Sequence, residues 1–146
     1  MKITRSALLP YAAQQMFDLV ADIDAYAEFL SWCNTSTVLQ RNSNEVEAEL
    51  GIRMAAMNLT FSTHNRLLRH ERIDMRLASG PFKTLAGHWL FESLDVAACK
   101  VSLELDFEFD SLITQKLMTP KFKSIVTSQL DAFQQRAKFV YGDLDA

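Results

Sequence analysis

Between Glu45 and Tyr141 the spacing of apolar residues changes once, from every second residue to every third or fourth. A strand turns alternate side chains to opposite faces, whereas a helix gathers positions three and four apart onto one stripe. Glu45 to Arg53 alternates strictly, with Val46, Ala48, Leu50 and Ile52 on one side. Asn58 to Leu67 places Leu59, Phe61, Thr63, Asn65 and Leu67 together, and Arg72 to Leu77 does the same with Ile73, Met75 and Leu77. Leu85, Gly87, Trp89 and Phe91 oppose Ala86, His88, Leu90 and Glu92. From Val101 to Phe109, Val101, Leu103, Leu105, Phe107 and Phe109 oppose Ser102, Glu104, Asp106 and Glu108. Each pattern predicts a strand with one wet face. After Asp110 the period becomes helical. Leu112 to Met118 reads as a preliminary turn or two, and Thr119-Pro120 as an N-cap and first-turn pair. Phe122, Val126, Gln129, Leu130, Phe133, Ala137 and Val140 then form one stripe on a helix of about six turns.

The N-terminal segment adds an opening strand over Ile3 to Leu9, ended by Pro10. Met16, Phe17, Leu19 and Val20 predict a short helix from Tyr11, and a second runs from Asp24 to Leu30 with Tyr26, Phe29 and Leu30 inward. Asp22-Ile23-Asp24 offers that second helix an N-cap. Thr35 to Gln40 is apolar and β-branched, and Asn42-Ser43-Asn44 and Gly80-Pro81 mark turns. Consecutive strands with short connections make an antiparallel meander. The expected fold is α+β: a curved antiparallel sheet of about six or seven strands around a long C-terminal helix, with two short helices after the first strand. The 146 residues suit one domain spanning 1–146.

No stretch approaches the roughly 20 apolar residues of a membrane span, and the start lacks a secretory signal. Cys33 and Cys99 are too few for a disulfide framework and read as reduced thiols. A cytoplasmic protein is expected. The net charge is −3, but Ser111 to Tyr141 holds five basic residues (Lys116, Lys121, Lys123, Arg136 and Lys138) against one acid, Asp131. Arg53, Arg66, Arg69, Arg72 and Arg76 form a second concentration. Such surfaces permit docking to an anionic partner, although a solvated face is the ordinary reading of any single charge.

Catalytic chemistry finds little purchase. The histidines His64, His70 and His88 fall in no metal-binding pattern, and there is no phosphate-binding glycine loop or nucleophile elbow. Glu104, Asp106 and Glu108 share a strand face opposite an apolar one, which favours solvation over acid–base work. A pair of His64 with His88 on neighbouring strands is conceivable, but surface histidines are the better reading. Cys33 has no local base to activate it. No catalytic residue, metal or required cofactor is expected.

The informative set is apolar. Met54, Met57, Phe61, Met75, Phe82, Leu85, Trp89, Met118, Phe122, Ile125 and Val126 come from elements that converge under the helix, with Thr63 among them. Each alone is ordinary core. Together they suit a cavity, because a strongly curved sheet and one helix leave space between them and methionines adapt to flexible ligands. Thr63, Asn65 or His88 could meet a headgroup.

Several segments carry a resemblance. Asp18-Leu19-Val20-Ala21-Asp22, Tyr26, Glu28-Phe29-Leu30 and Trp32-Cys33 come first. Gly80-Pro81-Phe82-Lys83-Thr84-Leu85, Gly87-His88-Trp89-Leu90-Phe91, Asp106-Phe107-Glu108-Phe109 and Ala132-Phe133-Gln134-Gln135-Arg136-Ala137 follow. In order and spacing the chain resembles the family of the ribosome association toxin RatA and the mitochondrial coenzyme Q-binding proteins. The resemblance implies a START-like, polyketide cyclase-like helix-grip fold without catalytic residues. It implies ubiquinone or a similar isoprenoid lipid as bound ligand, a link to respiration, and binding to the large ribosomal subunit that blocks subunit association. An antitoxin protein is a further implied partner. Lys116, Lys121, Lys123 and Lys138 are the candidate ribosome-facing residues, and no DNA partner is expected. An aromatase/cyclase-like enzyme on the same fold is the alternative.

Overall fold

A computed structural model describes residues 1–54 and 57–142, with the backbone alone at Met54 and Met57. Seven strands form one antiparallel sheet in the order β1-β7-β6-β5-β4-β3-β2. They are β1 (Lys2–Leu9), β2 (Cys33–Arg41), β3 (Glu45–Met54), β4 (Met57–Leu68), β5 (Arg72–Ser79), β6 (Phe82–Asp95) and β7 (Ala98–Phe109). The helices are α1 (Ala13–Ala21), a 3-10 turn (Ile23–Ala25), α2 (Tyr26–Phe29), α3 (Leu112–Thr127) and α4 (Gln129–Tyr141). The two short helices after the first strand, the meander and the long C-terminal helix are therefore present as expected.

Alternation sorts the sheet into two faces. Val101, Leu103, Leu105, Phe107 and Phe109 of β7 are buried and turn toward the helices. The sheet curves because its ladder is interrupted: register shifts fall between Phe82 and Thr84 and between Ser93 and Asp95 in β6, and twice in β2. Gly87 serves the same bend. A Cβ there would stand 2.2 Å from the Glu104 carbonyl oxygen of the neighbouring strand, so only glycine allows this approach. Gly80, at φ +139°, makes the β5–β6 turn in backbone that L side chains rarely adopt.

The long helix corrects two expectations. It does not start at Thr119-Pro120. It starts at Leu112, where the Ser111 hydroxyl accepts a hydrogen bond from the Thr114 amide at 3.1 Å. Pro120 lies inside α3. It is exposed, so the Lys116 carbonyl that loses its helical partner is on the solvent side. A break follows at Ser128, where the Thr127 and Ser128 hydroxyls bond back to the Ser124 and Ile125 carbonyls at 3.0 and 2.9 Å. The stripe of Phe122, Val126, Gln129, Leu130, Phe133 and Ala137 is buried, but Val140 is 47 % exposed. Tyr141 takes its place, its hydroxyl donating to the Gln15 carbonyl at 2.9 Å while Tyr11 reaches the Gly142 carbonyl at 3.1 Å.

The expected side-chain cap at Asp22-Ile23-Asp24 is also absent: Asp22 makes no side-chain cap bond. Asp24 instead accepts from the Val38 amide at 3.0 Å and ties the helical segment to β2.

Candidate functional site

A cavity of about 90 Å³ lies between the concave sheet face and α3. Its floor is built by inward positions of five strands: Ala48 and Leu50 of β3, Phe61, Thr63 and Asn65 of β4, Met75 of β5, Leu85 and Trp89 of β6, and Leu103 and Leu105 of β7. Phe122, Ile125 and Val126 of α3 and Gln129 of α4 form the roof, and Ile23, Tyr26 and Trp32 close one side. The strand period places Phe61, Thr63 and Asn65 on this face because they are two residues apart on β4.

Among the expected residues, Phe61, Thr63, Met75, Leu85, Trp89, Phe122, Ile125 and Val126 meet here. Phe82 and Met118 are buried but do not line the space. Phe82 stacks on Phe109 at 4.6 Å between centroids and tilts against Phe122 at 5.3 Å, while Phe107 meets Phe122 edge-on at 4.7 Å. These rings fill one end of the interior. The side chains of Met54 and Met57 lie outside the described residues. Leu103, Leu105 and Gln129 join the expected residues in the lining, and alternation and the helix stripe turn them inward.

The other end of the cavity carries polar groups. Asn65 is only 4 % exposed, and its Oδ1 has no hydrogen-bond partner among the described residues. Leaving a buried amide oxygen unpaired costs about 1–3 kcal/mol. Gln129 accepts from the Trp32 indole at 3.2 Å, which joins the α2–β2 connection to α4 beside the cavity. The Tyr26 hydroxyl donates to the Val20 carbonyl, and burial raises its pKa above the usual phenol value.

Cavities that hold drug-sized ligands span roughly 300–1,000 Å³. At about 90 Å³ the space is closed down, and a larger guest requires its walls to part. Trp32, Leu50, Met75 and Ile125 are half-buried wall residues, from the α2–β2 connection, β3, β5 and α3.

The candidate acid–base groups are elsewhere. His88 lies on the convex face, 3.6 Å from Glu104, which also meets Lys2 at 3.1 Å. It is therefore no headgroup partner inside the cavity. His64 faces Glu45 at 3.5 Å, and β5 separates it from His88, so the two do not lie on neighbouring strands. Asp106 is 66 % exposed and Glu108 accepts from Gln115. Burial pushes the Cys33 thiol up to about 11, and the thiol donates to the Thr35 carbonyl at 3.2 Å. At neutral pH the thiolate is about one part in ten thousand, which disarms it as a nucleophile. Cys99 is shifted upward by burial as well.

Lys116, Lys121, Lys123 and Lys138 are exposed on the C-terminal helices. Arg136 is committed to the fold instead, 4.8 Å over the Phe29 ring and 3.6 Å from Glu28. Arg72 and Arg69 are likewise engaged, by Asp74 at 2.6 Å and by the Ser43 carbonyl at 3.1 Å.

Comparison with known proteins agrees with this architecture. The model of the family described as polyketide cyclase / dehydrase and lipid transport matches residues 9–134. The ribosome association toxin RatA of Vibrio cholerae serotype O1 is 42 % identical over 142 residues, covering 97 % of this chain and 99 % of the relative. The mitochondrial coenzyme Q-binding protein COQ10 homolog B of Xenopus laevis is 27 % identical over 143 residues, covering 95 % of this chain and 59 % of that protein. The Zhui aromatase/cyclase from Streptomyces sp. R1128 superposes with a TM-score of 0.84 at 15 % identity, covering 94 % of this chain and 93 % of that one. The last likeness is one of fold.

Proposed function

Because the chain belongs to the polyketide cyclase / dehydrase and lipid transport family, and within it to the family of RatA and the coenzyme Q-binding proteins, we propose that it acts by binding. Its ligand is an isoprenoid quinone such as ubiquinone, or a similar lipid, held between sheet and helix. The observation that carries this reading is Asn65: a buried amide with an unpaired oxygen, set into a wall that is otherwise mostly apolar. The unpaired amide oxygen accepts, so it suits the hydroxyl of the reduced quinol, while the amide nitrogen can donate to a quinone carbonyl and the aliphatic tail meets the rest. A link to respiration follows from that ligand class.

Organic extraction of the purified protein followed by mass spectrometry tests the reading. A copurifying quinone or isoprenoid is expected. Emptied protein should then take up ubiquinone with a change in Trp32 and Trp89 fluorescence, since both indoles line the cavity. Repeated extraction of no lipid, together with no uptake, would sink the proposal.

The ribosome is the second partner. The relatives named as ribosome association toxins support it, and Lys116, Lys121, Lys123 and Lys138 supply an exposed basic surface. The proposed action is binding to the large subunit, with inhibition of subunit association and an antitoxin protein as counterpart. Phosphate contacts make such binding fall steeply with salt. Excess protein in a low-salt ribosome gradient should deplete associated particles, and an unchanged profile would count against it. An aromatase/cyclase reaction is disfavoured because His64, His88, Glu104, Asp106 and Glu108 lie on the sheet face away from the cavity.

A further inference from the structure

The outer side of α3 carries a feature that neither a cavity ligand nor RNA explains. Leu112, Ile113 and Leu117 are 83 %, 75 % and 56 % exposed. At roughly 100° per residue they share the solvent side of the helix with Lys116 and Lys123, opposite the buried Met118, Phe122 and Val126. Aliphatics and lysines are thus interleaved on one exposed surface. From Leu112 to Thr127 the helix has three lysines and no acid. The nearest acids precede it: Glu108, which Gln115 engages at 3.4 Å, and the exposed Asp110.

RNA phosphates reward the lysines but leave the three aliphatic side chains in water. An anionic bilayer rewards both. Leucine and isoleucine side chains enter the headgroup boundary while lysine stems reach back to the lipid phosphates. We propose that the solvent face of α3, through Leu112, Ile113 and Leu117 with Lys116, Lys121 and Lys123, docks on an anionic membrane surface. The contact is peripheral, since among the described residues no helix is long and apolar enough to cross a bilayer. Phe122, Ile125 and Val126 on the other side of the same helix roof the cavity, so docking sets the cavity wall beside the lipid phase. The proposal goes beyond the ligand reading and stands without it, because vesicle binding is measured with no quinone present.

The test is co-flotation of the full chain with two sets of vesicles, one of phosphatidylcholine alone and one of phosphatidylcholine and phosphatidylglycerol in equal parts. Binding to the anionic vesicles is expected, at least about tenfold tighter than to the neutral ones. The combined variant Leu112→Ser/Ile113→Ser/Leu117→Ser should lose about tenfold or more, as should Lys116→Gln/Lys121→Gln/Lys123→Gln. All six residues are outside the buried core, and an unchanged thermal midpoint confirms folding. Val96→Ser removes a 90 % exposed aliphatic in the β6–β7 turn and should bind like the parent. Absence of wild-type flotation overturns the proposal, as does undiminished binding of the serine variant or an equal loss in Val96→Ser. If the serine variant loses ribosome co-sedimentation and keeps vesicle binding, the surface belongs to the ribosome and the membrane assignment is wrong.

Discussion

The two ends of the interior are built from different residues and to different effect. At one end Phe61, Phe82, Phe107, Phe109 and Phe122 meet ring against ring, with centroids 4.6 to 6.4 Å apart, and leave no room. At the other, Thr63, Asn65, Met75 and Gln129 surround space, and an amide oxygen is left without a partner. The first arrangement recovers close to the full packing energy of its side chains. The second forgoes some of it, as expected of a site that must receive something. Stability should therefore be concentrated at the phenylalanine end and adaptability at the asparagine end.

The largest test of that contrast is Phe122→Ala, which removes the ring shared by both ends. A loss of about 3–5 kcal/mol is expected in denaturant unfolding. A loss below about 1 kcal/mol would mean that the aromatic end is not the anchor. Alkaline pH should reveal the other end next. Tyr26 and Cys33 are held protonated in the fold above their ordinary values, from 9.0 to about 11 for Cys33. The unfolded chain releases these protons first, so their contribution is complete below about pH 9 and is lost as pH rises toward about 11. The unfolding free energy from urea titrations should fall across that window by an amount on the order of 2 kcal/mol, and less in Cys33→Ala.

Asn65→Leu sharpens the comparison from the opposite side. Replacing an unpaired amide by an aliphatic group of similar size should leave stability unchanged or raise it by about 1 kcal/mol, while quinone uptake falls about tenfold. Destabilisation with uptake intact would return Asn65 to the core. The smallest effect is expected for Met75→Leu, under about 1.5 kcal/mol, because neighbouring space absorbs the change of shape.

These ends differ in how far the sequence reveals them. Alternation alone turned Thr63 and Asn65 inward on β4, and two polar residues in a core register were legible as a site. The same alternation put His88 on the wet face, so offering it as a headgroup partner went against the register, and its contact with Glu104 overturns that expectation. Phe82 and Met75 were not separable, since periodicity reports burial and says nothing about whether a buried ring finds partners. The helix start was misread because Thr119-Pro120 is a strong local signal. Ser111 caps earlier, and an exposed Pro120 can be tolerated inside a helix whose other face is held by the sheet. Leu112 and Ile113 then appeared to be a preliminary turn, and their exposure as part of the full helix could not be foreseen.

The sheet order places β1 beside β7, with Lys2 opposite Asp106, and the Tyr141 hydroxyl reaches back to Gln15. The first strand thus waits for the seventh, and the gripped helix follows both. During synthesis the concave wall has no roof until all seven strands have been made, so the domain must close late, through contacts between residues far apart in the chain. Such a topology folds slowly for its size and leaves the unroofed wall exposed to chaperones and to aggregation in the interval.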